Sequence, residues 1–115
     1  MQEFDYIIIG QGIAGSTLAW QLRWRDKRVA IVDRNEGGTA SKIASGLISP
    51  ITGQRNAVSW RFEDFWPVAK SFYERVETET QKRVLRCEPM LKLISNDSKF
   101  DNPQLSKFRG EQKPL

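Results

Sequence analysis

The sequence contains no histidine and a single cysteine, and these two shortages restrict the chemistry that its 115 residues can perform. One cysteine excludes a disulfide within the chain and is compatible with a reducing cytosol. Because no histidine is present to activate the thiol, Cys87 is interpreted as a small apolar residue rather than as a nucleophile. We assign no catalytic residue and predict no metal site.

Long hydrophobic runs are also missing. A secretory signal carries basic residues at its start, whereas this sequence has Glu3 and Asp5 there, and glycines interrupt the apolar run that follows. The sequence therefore predicts neither an export signal nor a membrane span, and we expect a cytoplasmic protein.

The net charge of +4 comes from lysines and arginines that are spread along the chain. Dispersed basic residues are typical of solvated faces, while nucleic-acid binding needs a continuous patch, so a nucleic-acid partner is the less favoured interpretation. The four tryptophans and six phenylalanines argue against intrinsic disorder. The chain has the composition of one that packs a core.

The first third of the sequence predicts a strand, a helix and a second strand. Residues 4–9 and 28–34 are short β-branched runs without alternation, which is typical of buried parallel strands. Between them, residues 13–25 have apolar positions four apart, as an amphipathic helix requires. This order and length describe a βαβ unit.

The glycine turn of this unit has the pattern GxGxxG, at Gly10, Gly12 and Gly15. In such turns the first glycine permits the tight turn, the second lets the backbone approach a pyrophosphate, and the third lets the helix pack on the strand. Asp33, at the end of the second strand, has the position of a ribose-binding acid. The pattern predicts a dinucleotide site, excludes a Walker-type phosphate loop, and leaves NAD and FAD as alternatives.

Three segments in series resemble the FAD-dependent oxidoreductases of the D-amino acid oxidase and glycine oxidase type. They are "DYIIIGQGIAGSTLAWQL", "VAIVDR" and "SKIASGLISP". The later "WRFEDFWPVAKSFYERVETET" and "EPMLKLIS" are similar to the helix and first strand of that family's substrate domain, so the resemblance covers about residues 4–95. It implies an α/β fold, the N-terminal part of a Rossmann-like FAD-binding domain plus the start of a substrate domain.

FAD is the cofactor that the resemblance implies. The glycine turn and the acid would hold the adenosine and phosphate half of FAD. Hydroxyl residues after the second strand would contact the phosphate side, and a small-residue segment would contact the flavin side. These residues are Gly10, Gln11, Gly12, Ile13, Ala14, Gly15, Asp33 and Arg34; Thr39 and Ser41; and Ala44, Ser45, Gly46 and Leu47. Arg55 is interpreted as solvent-exposed in preference to a contact with a substrate carboxylate.

Three divisions of the chain are expected. Residues 1–58 form the N-terminal part of the FAD-binding domain, 59–95 a helix and strand leading into a substrate domain, and 96–115 a polar tail or truncated segment. We expect the helix to begin near Pro67, with residues 62–66 as a separate turn or kinked entry, and a strand over 84–94. Because family members are several hundred residues long, the sequence is interpreted as a fragment whose fold needs the remainder of the parent chain.

The activity implied by the resemblance is oxidation of an amine or amino acid, a small-molecule substrate, by hydride transfer to the flavin. That activity belongs to the parent enzyme, and whether this chain alone is an enzyme stays open. Two alternatives remain: a flavin-dependent tRNA-modifying oxidase with a basic RNA-docking surface, and a non-catalytic nucleotide-binding remnant.

Overall fold

The structure is a computed structural model that describes residues 3–52 and 57–89. The chain divides between Ile48 and Ser49 into two compact units. The elements in chain order are β1 Tyr6–Ile9, α1 Ile13–Arg23, β2 Val29–Val32, α2 Ala40–Ile43, β3 Ile51–Thr52, β4 Ala57–Val58 and α3 Phe62–Thr80.

The first unit contains the predicted βαβ arrangement. β1 and β2 pair in parallel, in a register that runs from Tyr6 opposite Val29 to Ile9 opposite Val32. At the start of the pair, the Arg28 N–H donates to Asp5 Oδ2 at 2.8 Å, and the two side chains form an ion pair at 3.3 Å. The predicted strand, helix and strand are confirmed, with α1 ending two residues earlier than the periodicity indicated.

The two faces of this small sheet differ in cover. Ile8 is only 8% exposed and lies next to α1, since a Cβ placed on Gly15 would lie 3.3 Å from its Cγ2. On the opposite face, Ile7 and Ile9 are 67% and 88% exposed. The sequence predicted strands buried on both faces; within the described residues, only the face toward α1 is covered.

Gly15 is the point at which α1 comes closest to the end of β1. A Cβ there would overlap the carbonyl oxygen of Gly10, which is backbone and cannot rotate away. Gly15 therefore sets how deeply the helix packs on the strand.

We predict that Gly15→Ala destabilises the protein. Overpacking costs about 1–3 kcal/mol and exceeds the gain of about 1 kcal/mol in helix propensity. Urea unfolding measures the change in the free energy of unfolding. Gly37→Ala is the matched control, since a Cβ at Gly37 has no atom within 4 Å; equal effects of the two changes would contradict the packing role.

The second unit begins with a short hairpin that the sequence did not predict. Ile51 pairs with Val58 and Thr52 with Ala57 in antiparallel fashion. Outside the strands, the Ser59 N–H donates to the Pro50 carbonyl at 2.8 Å. Strands of two residues are too short to show alternation, which explains the omission. Arg55 lies outside the described residues.

Helix α3 confirms the predicted amphipathic helix, but its start was placed wrongly. It is continuous from Phe62, so Pro67 lies inside the helix and not in its first turn. Pro67 has no N–H to donate to the carbonyl of Glu63, so α3 lacks that one backbone hydrogen bond. Glu63 and Asp64 occupy the first turn, where acidic side chains suit the helix dipole.

The predicted strand over residues 84–94 does not form at 84–89, and 90–94 lie outside the described residues. The Val84 and Leu85 N–H groups donate to Oε1 of Glu77 at 2.7 and 2.8 Å. Their donors are therefore satisfied by a side chain of α3 and not by a neighbouring strand. The hydrogen bonds from Leu85 and Val84 lower the pKa of Glu77 from its usual value of 4.5.

We predict that these two contacts depend on the charge of Glu77. Because its pKa is lowered in the fold, they persist above pH 4.5 and are lost as the pH falls through the lowered value. The amide shifts of Val84 and Leu85, followed by NMR, should titrate together with a midpoint below 4.5. Glu77→Gln should abolish that shared transition, while Glu74→Gln, the control on the same helix, should leave it unchanged.

Candidate dinucleotide-binding site

The glycine turn joins the end of β1 to the start of α1. The Gly10 N–H donates to the Val32 carbonyl at 2.8 Å, and Gly10 has φ +98°, a conformation that suits glycine. α1 begins at Ile13 with Gly12 as its N-cap. The first N–H groups of an α-helix have no acceptor inside the helix, so those of Ile13, Ala14 and Gly15 are donors for an anion or a nearby side chain.

Asp33 lies against this turn. Its Oδ2 accepts the Gln11 N–H at 2.7 Å, and its Oδ1 accepts the Asn35 N–H at 2.6 Å. Hydrogen bonds from Gln11 and Asn35 lower the pKa of Asp33 from its usual value of 3.8. Each carboxylate oxygen retains a lone pair, so the ionised acid can still accept hydroxyl groups.

Ser41 reaches the same turn from α2. Its Oγ accepts the Ile13 N–H at 3.0 Å, and a Cβ on Gly12 would lie 3.0 Å from that Oγ. The absence of a side chain at Gly12 thus makes room for the Ser41 hydroxyl, which keeps its own proton to donate. Thr39, the N-cap of α2, accepts the Lys42 and Ile43 N–H groups with its carbonyl.

The predicted flavin-side segment follows α2. Ala44 donates its N–H to the Ala40 carbonyl and ends the helix. Gly46 has φ +69°, which favours glycine, and Leu47 is 78% exposed. Asp33 and Ser41 contact the glycine turn by hydrogen bonds; the assignment of Ala44, Ser45, Gly46 and Leu47 to the flavin stays a prediction.

Arg34 takes a different direction from Asp33. Its guanidinium pairs with Glu36 at 3.3 Å, and its side chain is 87% exposed. Sequence reasoning missed two residues of the region, Asn35 and Lys42, which are bonded to each other at 3.1 Å. Asparagine in the turn that follows a strand is a signal for a left-handed conformation, and Asn35, three residues after the end of β2, has φ +54°. No comparable local signal marks Lys42.

The site first identifies the class of protein. A glycine turn, a helix N-terminus and an acid at the end of the second strand form a dinucleotide site of the Rossmann type. The chain matches the family described as DAO, FAD dependent oxidoreductase, over residues 5–103. It belongs to that family, and FAD is the family's cofactor. The comparison confirms the α/β fold class and the oxidoreductase assignment.

The curated proteins that are similar to this chain include two oxidoreductases. The uncharacterized oxidoreductase YurR of Bacillus subtilis (strain 168) is 40% identical over 56 residues, 49% of this chain and 15% of that protein. The oxygen-dependent choline dehydrogenase of Pseudomonas fluorescens (strain Pf0-1) is 37% identical over 68 residues, 54% of this chain and 12% of that protein. The chain thus spans less than a sixth of either relative, and no solved structure matches it significantly.

Neither alternative, the tRNA-modifying oxidase or the non-catalytic remnant, is favoured by these similarities. Among residues 3–52 and 57–89, no helix is both long and apolar enough to cross a membrane. In the same described part, no three histidine, cysteine, aspartate or glutamate side chains gather as a metal site requires.

The residues present fit the adenosine and phosphate half of FAD. An added Cβ at Gly15 would overlap the Gly10 carbonyl, and one at Gly12 would lie 3.0 Å from the Ser41 hydroxyl, so the turn is tightly packed at both glycines. A donor hydroxyl and a helix N-terminus suit a pyrophosphate, and an ionised acid suits a ribose.

We predict that Gly12 and Ser41 are energetically coupled. Gly12→Ala forces the Ser41 hydroxyl away from the Ile13 N–H, whereas Ser41→Ala removes the obstructing oxygen. In a double-mutant cycle, measured by urea unfolding, Gly12→Ala should therefore cost less in the Ser41→Ala background, with a coupling of about 0.5–3 kcal/mol. Additive effects would show that the close approach carries no energy.

Proposed function

We propose that this chain supplies the adenosine and pyrophosphate site of an FAD enzyme that oxidises an amine or an amino acid. The observation that carries the proposal is the convergence of Asp33 and Ser41 on two successive parts of the glycine turn, the Gln11 and Ile13 N–H groups, at 2.7 and 3.0 Å. Membership of the FAD dependent family supports the choice of dinucleotide.

Each residue group has a separate task in this proposal. Asp33, ionised and held at both oxygens, accepts the ribose hydroxyls. The α1 N-terminus and the hydroxyls of Ser41 and Thr39 face the pyrophosphate, where donors and a positive dipole end stabilise negative charge. The backbone of residues 44–47 lies along the flavin.

FAD held by these residues would supply the redox chemistry: it would accept a hydride from the carbon beside the nitrogen of an amine or amino acid, which would leave as an imine after loss of a proton from nitrogen. The part of the chain that the structure describes contributes binding and orientation, and we assign it no acid or base. The substrate pocket belongs to the remainder of the parent enzyme. Because one relative is named for choline, choline is a further substrate to test. Its nitrogen is quaternary, so the hydride would leave from the carbon that bears the hydroxyl, the hydroxyl would lose its proton, and the product would be an aldehyde. A cytoplasmic location stays a prediction.

Binding of FAD tests the proposal. Full chain purified with riboflavin available during expression should carry a yellow cofactor that absorbs near 450 nm, and titration of apoprotein with FAD should give saturable quenching of flavin fluorescence. Asp33→Asn should weaken FAD about tenfold or more, because an amide has one acceptor oxygen where the carboxylate has two.

Asp26→Asn is the matched control. Asp26 lies in the same unit with φ +56°, a conformation that asparagine adopts readily. This variant should bind FAD as the unmodified chain does. Equal affinities for Asp33→Asn and Asp26→Asn would remove Asp33 from the site, and failure of both chain and parent enzyme to bind any flavin would overturn the proposal.

A further inference from the structure

Lys42 connects α2 to the turn that follows β2. Its Nζ donates to Oδ1 of Asn35 at 3.1 Å and to the carbonyl oxygen of Glu36 at 3.0 Å. Both acceptors are neutral, and hydrogen bonds from a charged donor are stronger than those between neutral groups. The ammonium group thus ties two successive residues of the turn to a helix that is six or seven residues further along the chain.

Asn35 passes this constraint to the acid. Its N–H donates to Oδ1 of Asp33 at 2.6 Å, and its own backbone is left-handed, with φ +54°. The other oxygen of Asp33 accepts the Gln11 N–H. A continuous series of hydrogen bonds therefore runs from Lys42 through Asn35 and Asp33 to the glycine turn.

Of the two basic residues near Asp33, Lys42 affects the carboxylate more than Arg34, its neighbour in sequence, does. Arg34 directs its guanidinium to Glu36 at 3.3 Å and is largely exposed. The positive charge of Lys42 contributes more than that of Arg34 to lowering the pKa of Asp33, after the hydrogen bonds from Gln11 and Asn35. Lys42 and Arg34 are the basic residues whose charge acts on Asp33, and Glu36 pairs with Arg34.

We propose that Lys42 is a positioning residue of the ribose site: its ammonium group fixes the turn at Asn35 and, through it, the orientation of the Asp33 carboxylate. The inference rests on the proposed function, in which Asp33 accepts the ribose hydroxyls. Lys42 acts without touching the cofactor: it holds Asn35, whose N–H keeps Oδ1 of Asp33 in place, while the Gln11 N–H holds Oδ2.

The first test needs no cofactor. The amide shifts of Gln11 and Asn35 report the titration of Asp33, and NMR gives its midpoint in the unmodified chain, in Lys42→Met and in Lys42→Arg. Lys42→Met keeps the apolar stem but removes charge and donor, so the midpoint should rise toward 3.8, the usual value for aspartate. Lys42→Arg should preserve the lower midpoint, and so should Lys27→Met, a control in the same unit.

Asn35→Gly provides an independent variant if Lys42→Met does not fold. Glycine accepts the positive φ and keeps the N–H to Asp33, but it removes the oxygen that Lys42 binds. It should raise the midpoint as Lys42→Met does, and combining the two changes should add little. Unchanged midpoints in both single variants would overturn the inference.

The second test separates the inference from the proposed function. Lys42→Met should weaken ADP, which contains the adenosine ribose, by about three- to tenfold. Binding of FMN, which lacks that ribose, should not change in the parent enzyme. If the unmodified chain and parent bind neither ADP nor FAD, the proposed function fails while the titration result still decides the coupling. Equal ADP affinities in Lys42→Met and the unmodified chain would refute the positioning role.

Discussion

The hydrogen bond from the Gln11 N–H to the Asp33 carboxylate joins the turn after β1 to the end of β2, and the first unit depends on it. Parallel pairing alone brings the two strand ends to the same edge of the sheet. The Asp33 carboxylate then holds the turn that follows β1, and the Ser41 hydroxyl holds the Ile13 N–H at the start of α1. These polar contacts therefore fix the path of the chain through the predicted binding turn.

Close packing is confined to a few atoms, because the described residues bury few apolar side chains. Ile8 and Val76 are the buried hydrophobic residues of residues 3–52 and 57–89, one in each unit. With so little apolar area removed from water, backbone contacts such as Gly15 on Gly10 and charged hydrogen bonds such as Glu77 on Val84 carry an unusual share of the local order. The segments that match the two relatives make up 15% and 12% of those proteins, so most of each relative lies outside the part that is similar to this chain.

The βαβ unit and the dinucleotide class were predictable because their signals are periodic or local. Unbroken β-branched runs predict the two strands, an apolar repeat predicts the helix, and three spaced glycines predict the turn between them. Asp33 was found because it lies at the end of the second predicted strand. The family assignment came from resemblance, and the comparison with known families confirmed it.

The errors and omissions have different physical origins. Pro67 was assigned to the first turn because of the helix propensity of proline. In the structure α3 already begins at Phe62, and its apolar face continues on both sides of Pro67. The strand expected at residue 84 lost its donors to Glu77, a contact seven residues back that no periodicity shows. Lys42 was missed because its role depends on where α2 lies in the fold. The spacing of residues along the sequence does not show which groups its side chain can contact.

The carboxylate of Glu77 also influences the path of the chain after α3, because it binds two successive backbone groups. The successive N–H groups of Val84 and Leu85 donate to the same oxygen, so one carboxylate satisfies two backbone donors that would otherwise need a neighbouring strand or water. The acceptor is a side chain of the preceding helix. The direction in which the polypeptide leaves α3 is thus set by this carboxylate together with the left-handed C-cap at Gln81.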